Sequence, residues 1–397
     1  MTKILLCGVI PENNFGGPSL LHGAREIINE IHEECEIVFY QSTNPVEIAT
    51  KDLGFAVKKN PYRRVHDLLF DAIKYKYGKV PKSKDKQIFL RDIKQSTVVA
   101  NLFGINFSSK FSTGKNSHFK AVKSTVGKYS INVAARILGV KSVKCTASYG
   151  PITSKTDITA AKLSAKRIFD VIVAREEESK KQLQRVTGKE VYVSPDIANM
   201  MSYNKRTKRE MNKIGISVSF QIINQWKSEE SYIDCIIKFI SHILKHNPQA
   251  QISLIPNEYM SDNPYSDIHV AQDIKAHFMT NENVEVLDVE KLTSTELKEN
   301  IASCEVMVAS RYHSCVASLS SGVPLLVVGW HYKYDELLKL YNQEKWIISS
   351  DDCSSAQLMN MFDLFWSERE DNKMIIDYSF QKIKYDLLRV GMQMFAQ

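Results

Sequence analysis

Three side chains that can bind an anion or move a proton stand directly after apolar runs of the sequence. Arg175 follows residues 171–174, and Arg311 and His313 follow residues 306–309. Because the carboxyl ends of parallel strands lie close to helix N-termini, such positions favour a bound anion. An arginine fork can hold phosphate or carboxylate through two hydrogen bonds, and histidine can donate a proton near neutral pH. The pattern predicts a site for a small anionic substrate.

Simpler interpretations of the same residues stay open. Arg311 and His313 can cap a helix and satisfy its backbone groups, and Arg175 can pair with the carboxylates at 176–178. The loop at residues 13–19 can bind an anion through its backbone N–H groups, but it matches neither the Walker A pattern nor G-x-G-x-x-G. No stretch has the spacing of metal ligands, so we expect no metal site.

Apolar runs alternate with segments of helical period along most of the chain. A strand at residues 3–10 is followed by a glycine-rich turn, a helix at 20–31 and a second strand at 36–40. This order is typical of parallel α/β units. A similar series begins after the polar stretch 203–213. We therefore predict an α/β fold with two Rossmann-like domains whose parallel sheets face a cleft, with the ligand at the carboxyl ends of the strands.

The predicted domains are an N-terminal domain at residues 1–204, a C-terminal domain at 213–375 and a terminal helix at 376–397 that packs back on the first domain. Hydrophobic residues make up 44% of the chain and charged residues 24%, a composition typical of globular proteins that excludes a disordered chain. The seven cysteines form no C-x-x-C pair. Unpaired cysteines favour a reducing compartment, so we expect a cytoplasmic protein.

The positive charge is concentrated in one segment. Residues 58–94 carry twelve Lys and Arg against four Asp, whereas the whole chain has a net charge of +7. Within this basic insertion, apolar residues recur at helical spacing between positions 65 and 73. The cations that flank them are Arg63, Arg64, Lys74 and Lys76.

A basic amphipathic helix of this kind can contact an anionic membrane surface. The alternative is a solvated helix that packs on its own domain and is followed by a flexible basic loop at residues 78–86. No recognisable nucleic-acid-binding module accompanies the segment, so we expect no nucleic-acid partner.

Four stretches of the sequence resemble the polysaccharide pyruvyl transferase family, in the order in which that family has them. The most specific stretch carries Ser310, Arg311 and His313, then a Gly-Val-Pro triplet, and then Lys333. The other matching stretches are residues 8–17, 127–152 and 171–179. The sequence departs from the family at Gly17, where the family usually has an aspartate.

The resemblance implies a GT-B-like fold and transfer of a pyruvyl group from phosphoenolpyruvate to a sugar, with release of phosphate. The usual product is a cyclic ketal on two sugar hydroxyls, and galactose with a 4,6-ketal is a common case. The family's catalytic donor-binding residues correspond to Arg175, Arg311 and His313, with Ser310 and Lys333 as further donor contacts. We expect His313 to be the acid or the main phosphate donor, and the resemblance implies no cofactor or metal.

On this interpretation the N-terminal domain binds the acceptor and the C-terminal domain binds the donor. The candidate acceptor contacts are Asn14, Gly16, Gly17, Ser148, Tyr149, Glu258, Asp267 and His331. The last three are also candidates for taking the hydroxyl proton. The expected acceptor is a polyprenyl-diphosphate-linked precursor of a cell-surface polysaccharide, which places the protein peripherally at the inner face of the cell membrane.

Two other functions stay open. A glycosyltransferase that uses a nucleotide sugar would suit the same two-domain architecture, since fold does not determine function. A non-catalytic binding or assembly protein is the third candidate. Release of inorganic phosphate, as opposed to a nucleoside diphosphate, separates the first function from the second, and thermal stabilisation by phosphoenolpyruvate separates it from both.

Overall fold

The computed structural model describes residues 2–107, 118–260 and 262–396. Over these residues the chain forms two α/β halves, each built on a fully parallel sheet. The α/β class predicted from the alternating pattern is confirmed. Within β1 (Thr2–Cys7), Ile4 and Leu6 belong to one apolar cluster and Leu5 and Cys7 to another. Both faces of the strand are therefore covered, which explains its uninterrupted apolar run.

The N-terminal half contains an eight-stranded sheet within the described residues. Its main order is β3-β2-β1-β4-β6-β7-β8, and β5 pairs with β6. The strands after β1 are β2 (Cys35–Gln41), β3 (Ala56–Lys59), β4 (Val98–Asn101), β5 (Ile105–Asn106), β6 (Lys141–Tyr149), β7 (Val171–Ala174) and β8 (Tyr192–Val193). The order changes direction around β1 and β4, and ligands bind at such points in open parallel sheets.

The helices of the N-terminal half connect these strands. They are α1 (Gly16–Ile31), α2 (Glu47–Thr50), α3 (Val65–Lys76), α4 (Lys84–Gln95), α5 (His118–Lys128), α6 (Ser130–Ile137), α7 (Lys155–Leu163) and α8 (Glu177–Thr187). A π-helical turn at Ser164–Ile168 extends α7, and a 3₁₀ turn at Ile197–Met200 follows β8. The basic loop expected at residues 78–86 is shorter than predicted, because α4 begins at Lys84.

The C-terminal half contains a six-stranded sheet in the order β11-β10-β9-β12-β13-β14. The strands are β9 (Lys213–Ser217), β10 (Gln251–Leu254), β11 (Val284–Val286), β12 (Val306–Ala309), β13 (Leu325–Gly329) and β14 (Ile347–Ser349). The helices are α9 (Phe220–Ile223), α10 (Tyr232–His246), α11 (Asp267–Ala276), α12 (Ser294–Ser303), α13 (Tyr312–Ser320), α14 (Lys333–Leu340) and α15 (Ser355–Ser367). A 3₁₀ turn covers Val289–Lys291.

The last helix, α16 (Arg369–Phe395), joins the two halves. It begins seven residues before the predicted start at residue 376, because its first turns pack on the C-terminal half, where Asn372 accepts a hydrogen bond from Trp346 at 2.8 Å. Its last turns pack on the N-terminal half, where His32 contacts the carbonyl of Phe395 at 3.0 Å. No helix among the described residues is both long enough and apolar enough to cross a bilayer.

One apolar cluster passes through both halves. It contains Ile4 and Leu21 of the N-terminal half, Met307 and Leu319 of the C-terminal half, and Leu387 of α16. The halves are therefore joined by buried apolar contacts, as well as by the polar stretch at 203–213.

Candidate active site

Arg311 lies between the end of β12 and the start of α13, where two carboxylates hold its guanidinium. Nε donates to Asp267 Oδ2 at 2.7 Å, and Nη2 donates to Asp267 Oδ1 at 2.5 Å. Glu258 accepts from Nη2 at 3.0 Å and from Nη1 at 3.3 Å. Burial acts to lower the pKa of Arg311, but the charge of Asp267 outweighs it and raises that pKa. We call these three residues the Arg311 centre.

Asp267 is a positioning residue for Arg311. Its side chain is fully buried at the first position of α11, and its oxygens also accept the backbone N–H groups of Phe220 at 2.8 Å and Glu258 at 3.0 Å. The carboxylate does not line the cavity described below. The structure therefore places Asp267, which was predicted as an acceptor contact or proton acceptor, outside the cavity lining, with its oxygens enclosed and already bound.

Arg175 occupies the corresponding place in the N-terminal half, directly after β7. Its guanidinium donates to the carboxylate of Asp196 and to the carbonyl of Gly104, the latter at 2.5 Å. The guanidinium carbon lies 5.0 Å from the ring centroid of Tyr312, which belongs to the C-terminal half. Glu176, the ion-pair partner suggested by the sequence, lies 3.9 Å from Nε and is the more distant carboxylate. We call Arg175, Asp196 and Tyr312 the Arg175 centre.

His313 lies on the first turn of α13, between the two halves. Its Nε2 is 4.0 Å from Asp196 and, within the described chain, has no hydrogen-bond partner. A Cβ atom on Gly16 would come within 2.6 Å of Nδ1, so the glycine allows α1 to approach the ring. Burial lowers the pKa of His313 to about 4, with Arg175 adding to the effect and Asp196 opposing it. The imidazole of His313 is therefore neutral at neutral pH.

Lys333 begins α14 and points among aromatic rings. Its Nζ lies 4.9 Å from the ring centroid of Trp330 and 5.3 Å from those of Tyr312 and Tyr334. In the described part of the chain it forms no ion pair with a carboxylate. Burial and the nearby charges of Arg175 and Arg311 lower the pKa of Lys333 to about 7. Lys333 is thus a cation of the site that has no carboxylate partner among the described residues.

A cavity of about 710 Å³ collects these groups from both halves. Arg175, Arg311, His313 and Lys333 all line it, so the cations predicted from separate strand ends meet at one site. A cavity of this size can hold a small anion together with a sugar. Over the described residues, no group of three or more His, Cys, Asp or Glu is arranged to hold a metal ion.

The loop before α1 and the first turn of that helix supply part of the cavity wall, at Asn14, Gly16 and Gly17. Asn14 Oδ1 accepts the backbone N–H of Gly17 at 2.9 Å, which fixes the start of the helix. A Cβ atom on Gly17 would overlap the backbone carbonyl of Ile10. No side chain can therefore replace the glycine at this position, and the carboxylate that the family usually carries there has no equivalent in this loop.

Other predicted contacts lie outside the cavity. Ser148 donates to Glu176 at 2.6 Å, and the N–H of Tyr149 donates to Ser179 at 2.8 Å, so these residues tie β6 to α8 beneath Arg175. The structure therefore places Ser148 and Tyr149, which were predicted as acceptor contacts, outside the described cavity lining.

Ser310 and His331 are also absent from the cavity lining, as the structure describes it. The Ser310 hydroxyl lies 3.2 Å from the Tyr232 hydroxyl, and its carbonyl accepts from Tyr334 at 2.8 Å. Ser310 is thus a buried support for the aromatic side of the site. Among the predicted proton acceptors, only Glu258 lines the cavity, with 38% of its side chain exposed.

Two residues of the site escaped the sequence analysis. Asp196 follows the carboxyl end of β8, where it binds Arg175 and also caps the 3₁₀ turn through the N–H of Ala198 at 3.0 Å. Its position after a strand was the available signal. Tyr312 stands between two recognised residues, and its aromatic face lies between Arg175 and Lys333.

The fold is similar to solved structures of UDP-N-acetylglucosamine 2-epimerases and of a rhamnosyltransferase. A putative UDP-N-acetylglucosamine 2-epimerase from Listeria monocytogenes aligns with a TM-score of 0.60 at 10% identity, covering 96% of this chain and 90% of that one. The UDP-GlcNAc 2-epimerase from Methanocaldococcus jannaschii aligns with a TM-score of 0.57 at 12% identity, covering 91% and 92%. Spinosyn rhamnosyltransferase SpnG aligns at 0.51 and 9% identity, covering 99% and 100%. These similarities confirm the GT-B-like fold.

Sequence comparison identifies the family directly. A search of curated proteins found no significant match. The family model for polysaccharide pyruvyl transferase, in contrast, matches residues 14–332. That range includes Arg175, Arg311 and His313 and ends one residue before Lys333. The chain therefore belongs to the polysaccharide pyruvyl transferase family.

Proposed function

We propose that this protein transfers the pyruvyl group of phosphoenolpyruvate to two hydroxyls of one sugar in a cell-surface polysaccharide precursor. The products are inorganic phosphate and a cyclic ketal. The observation that carries the proposal is the cavity itself, in which Lys333 and His313 lack a hydrogen-bonded carboxylate and lie beside two buried arginines. Phosphoenolpyruvate carries both a phosphate and a carboxylate, so it complements this set of cations.

The donor would bind to the groups whose charge is not already neutralised. Arg311 is paired with Asp267 and Glu258, and Arg175 is paired with Asp196. The positive charge left over includes that of Lys333, whose pKa of about 7 would rise when an anion binds close to it. The same anion would raise the pKa of His313, so that donor binding itself converts the neutral imidazole into a proton donor.

The proposed reaction balances without a cofactor. Protonation of the methylene carbon of phosphoenolpyruvate creates a cationic centre at C2, and a sugar hydroxyl attacks it and gives up its proton. The C2–O bond to phosphate then breaks, with the electron pair leaving on phosphate. The second hydroxyl attacks C2 in its place and gives its proton to the departing phosphate, which closes the ketal. We assign the first protonation to His313 and the uptake of a hydroxyl proton to Glu258, the acidic candidate that lines the cavity.

The acceptor we propose is a sugar of a precursor carried on a polyprenyl diphosphate at the inner face of the cell membrane. Galactose with a 4,6-ketal is the working case. The loop at Asn14, Gly16 and Gly17 and the carboxylate of Glu258 border the space left for it in the cavity.

The decisive experiment is mass spectrometry of candidate lipid-linked acceptors after incubation with purified protein and phosphoenolpyruvate. We expect a mass gain of one pyruvic acid less one water, with one inorganic phosphate released per ketal. Sugar transfer from a nucleotide sugar, with release of a nucleoside diphosphate, would establish the glycosyltransferase alternative in its place. If neither reaction occurs and phosphoenolpyruvate does not raise the melting temperature, the proposal is wrong.

A further inference from the structure

The outer face of α3 and the turn after it expose a row of apolar side chains. The exposed fractions are 58% for Phe70, 46% for Ile73, 77% for Tyr77 and 60% for Val80. The inner face of the same helix is buried at Leu68 and Ala72. Residues 70, 73 and 77 are spaced by three and four, so they lie on one side of the helix. A contiguous exposed apolar face of this kind marks an interaction surface.

The same face carries positive charge that no carboxylate neutralises. Lys74, Lys76 and Lys79 are exposed, and none of them forms an ion pair with any residue in the described ranges. The ammonium group of Lys74 lies 4.1 Å from the ring centroid of Phe70. Arg64 differs from these lysines, because it is paired with Asp67 at 3.0 Å.

The start of α3 borders the wall that the N-terminal half contributes to the cavity. Val65, at the start of the helix, lies 3.9 Å from the place that a Cβ atom on Gly127 would occupy. Gly127 lines the cavity, and so do Asn60 and Ile131. Ile131 packs against the apolar cluster that also contains Leu68 of α3. A surface that contacts α3 would therefore lie next to the proposed acceptor side of the site.

We propose that this face of α3 binds the headgroup region of an anionic lipid bilayer. The residues of this α3 surface are Phe70, Ile73, Lys74, Lys76, Tyr77 and Lys79. Exposed aromatic and aliphatic side chains enter the boundary between headgroups and acyl chains, while the ammonium groups pair with lipid phosphates. The inference extends the proposed function by placing a lipid-carried acceptor beside the cavity. Binding is measured without either substrate, so one proposal can fail while the other stands.

A comparison with α16 indicates that the positive charge of the α3 surface determines its preference for anionic lipids. Tyr378 and Tyr385 on α16 are as exposed as Tyr77. Lys373, five positions before Tyr378, differs from Lys74, because Lys373 is paired with Asp377. An exposed acid, Asp377, thus lies in the apolar row of α16, whereas the α3 surface contains lysines and no acid. An anionic bilayer should attract α3 and leave α16 free.

The test is flotation of the purified protein with vesicles of phosphatidylcholine, prepared with and without phosphatidylglycerol. We expect binding to the anionic vesicles, and its loss in high salt, where the Debye length falls to about 3 Å at 1 M. Changing Lys74→Glu and Lys76→Glu removes two cations of about 1 kcal/mol each, so affinity should fall by about 30-fold or more. Phe70→Ser with Tyr77→Ser should also weaken binding, by loss of the apolar contact.

The matched control is Tyr378→Ser with Lys382→Glu on α16, which removes a comparable aromatic residue and lysine and should bind as the parent does. All variants should melt at the parental temperature, since the changed side chains are exposed. Equal binding to both vesicle types, no binding of the parent, or unchanged binding of both α3 variants would each overturn the proposal. Loss of self-association in the α3 variants, without vesicle binding by the parent, would identify the surface as a contact between two copies of the chain.

Discussion

The two arginine centres look alike in sequence but differ in what holds them. In the Arg311 centre, both carboxylates belong to the same half of the molecule as the arginine, and they bind all three nitrogens of the guanidinium. In the Arg175 centre, one carboxylate binds the guanidinium, and the aromatic contact comes from Tyr312 of the other half. Asp196 also faces His313 at 4.0 Å.

The Arg311 centre is assembled within one half of the molecule, whereas the Arg175 centre depends on contact between the two halves. The C-terminal half can form the Arg311 centre from its own residues. The Arg175 centre reaches its observed form only when α13 lies against the N-terminal half, because Tyr312 and His313 both belong to that helix. Recognition of the donor should therefore be sensitive to changes at the Arg175 side, while stability should be sensitive to changes at the Arg311 side.

The largest effect should follow from Arg311→Met, which leaves the fully buried Asp267 without its partner. Breaking a buried ion pair in this way costs about 3–5 kcal/mol. We expect the free energy of unfolding, measured by denaturant titration, to fall by this amount. Adding Asp267→Asn should restore most of the stability, because the unpaired charge is gone, while donor-dependent activity stays lost.

The corresponding pair of changes in the Arg175 centre tests whether the two centres contribute equally to stability. Arg175→Met with Asp196→Asn should recover less stability, because the contacts with Gly104 and Tyr312 are not restored. Equal recovery on both sides would mean that the two centres are energetically equivalent. A single Arg311→Met variant that unfolds within about 1 kcal/mol of the parent would contradict the assignment of Asp267 as a buried charge.

His313→Ala should lower turnover while leaving the protein folded. Removing a positioned proton donor costs about 10²–10⁴-fold in rate. We expect kcat with phosphoenolpyruvate to fall by this factor and the melting temperature to stay close to that of the parent. The control is His242→Ala, which removes an imidazole paired with Asp363 at 2.8 Å on another surface. Normal turnover of His313→Ala would remove this residue from the mechanism.

Lys333 should make donor capture depend on pH around neutrality. Its pKa of about 7 in the free protein means that the ammonium form is lost as the pH rises through 7. We expect kcat/KM for phosphoenolpyruvate to fall by about tenfold per pH unit above that value. Lys333→Arg keeps the charge at all accessible pH values and should remove the fall. A parental profile that stays level to pH 9 would contradict the role of Lys333.

Tyr312→Leu should have the smallest effect, because it removes an aromatic face and keeps the apolar volume. The ring stabilises the charged forms of Arg175 and Lys333, at 5.0 and 5.3 Å. Loss of a cation–π contact worth about 0.5–1 kcal/mol should shift the alkaline fall in kcat/KM downward by about half a pH unit. Tyr312→Phe retains the ring and should keep the parental profile; a shift of equal size would assign the effect to the hydroxyl.

The sequence was informative where a single segment determines a side chain's place. Arg175, Arg311 and His313 could be placed at strand ends, because apolar runs and the helical segments that follow them are visible in one stretch of chain. The apolar alternation likewise predicted both sheets. Family membership, found by comparison over residues 14–332, agrees with the resemblance carried by these motifs.

The partners of those residues could not be predicted, because they come from distant segments. Asp267 lies 44 positions before Arg311, and Asp196 lies 21 positions after Arg175. A sequence shows that carboxylates exist but does not show which of them the fold encloses. For the same reason the sequence analysis predicts substrate contacts at Asp267, Ser148 and Ser310. In the structure the polar atoms of these residues hold other elements in place.

The apolar cluster that runs through both halves has a consequence for how substrates enter. Many two-lobed enzymes close around their substrates by rotating one lobe about a hinge. Here such a rotation would have to separate Leu21 and Leu319, which pack in the same hydrophobic core. It would also have to bend α16, because that helix is bound to a different half at each end. We therefore expect the cavity to stay open in the protein without substrates. The loops at its edge would then control substrate entry and product release.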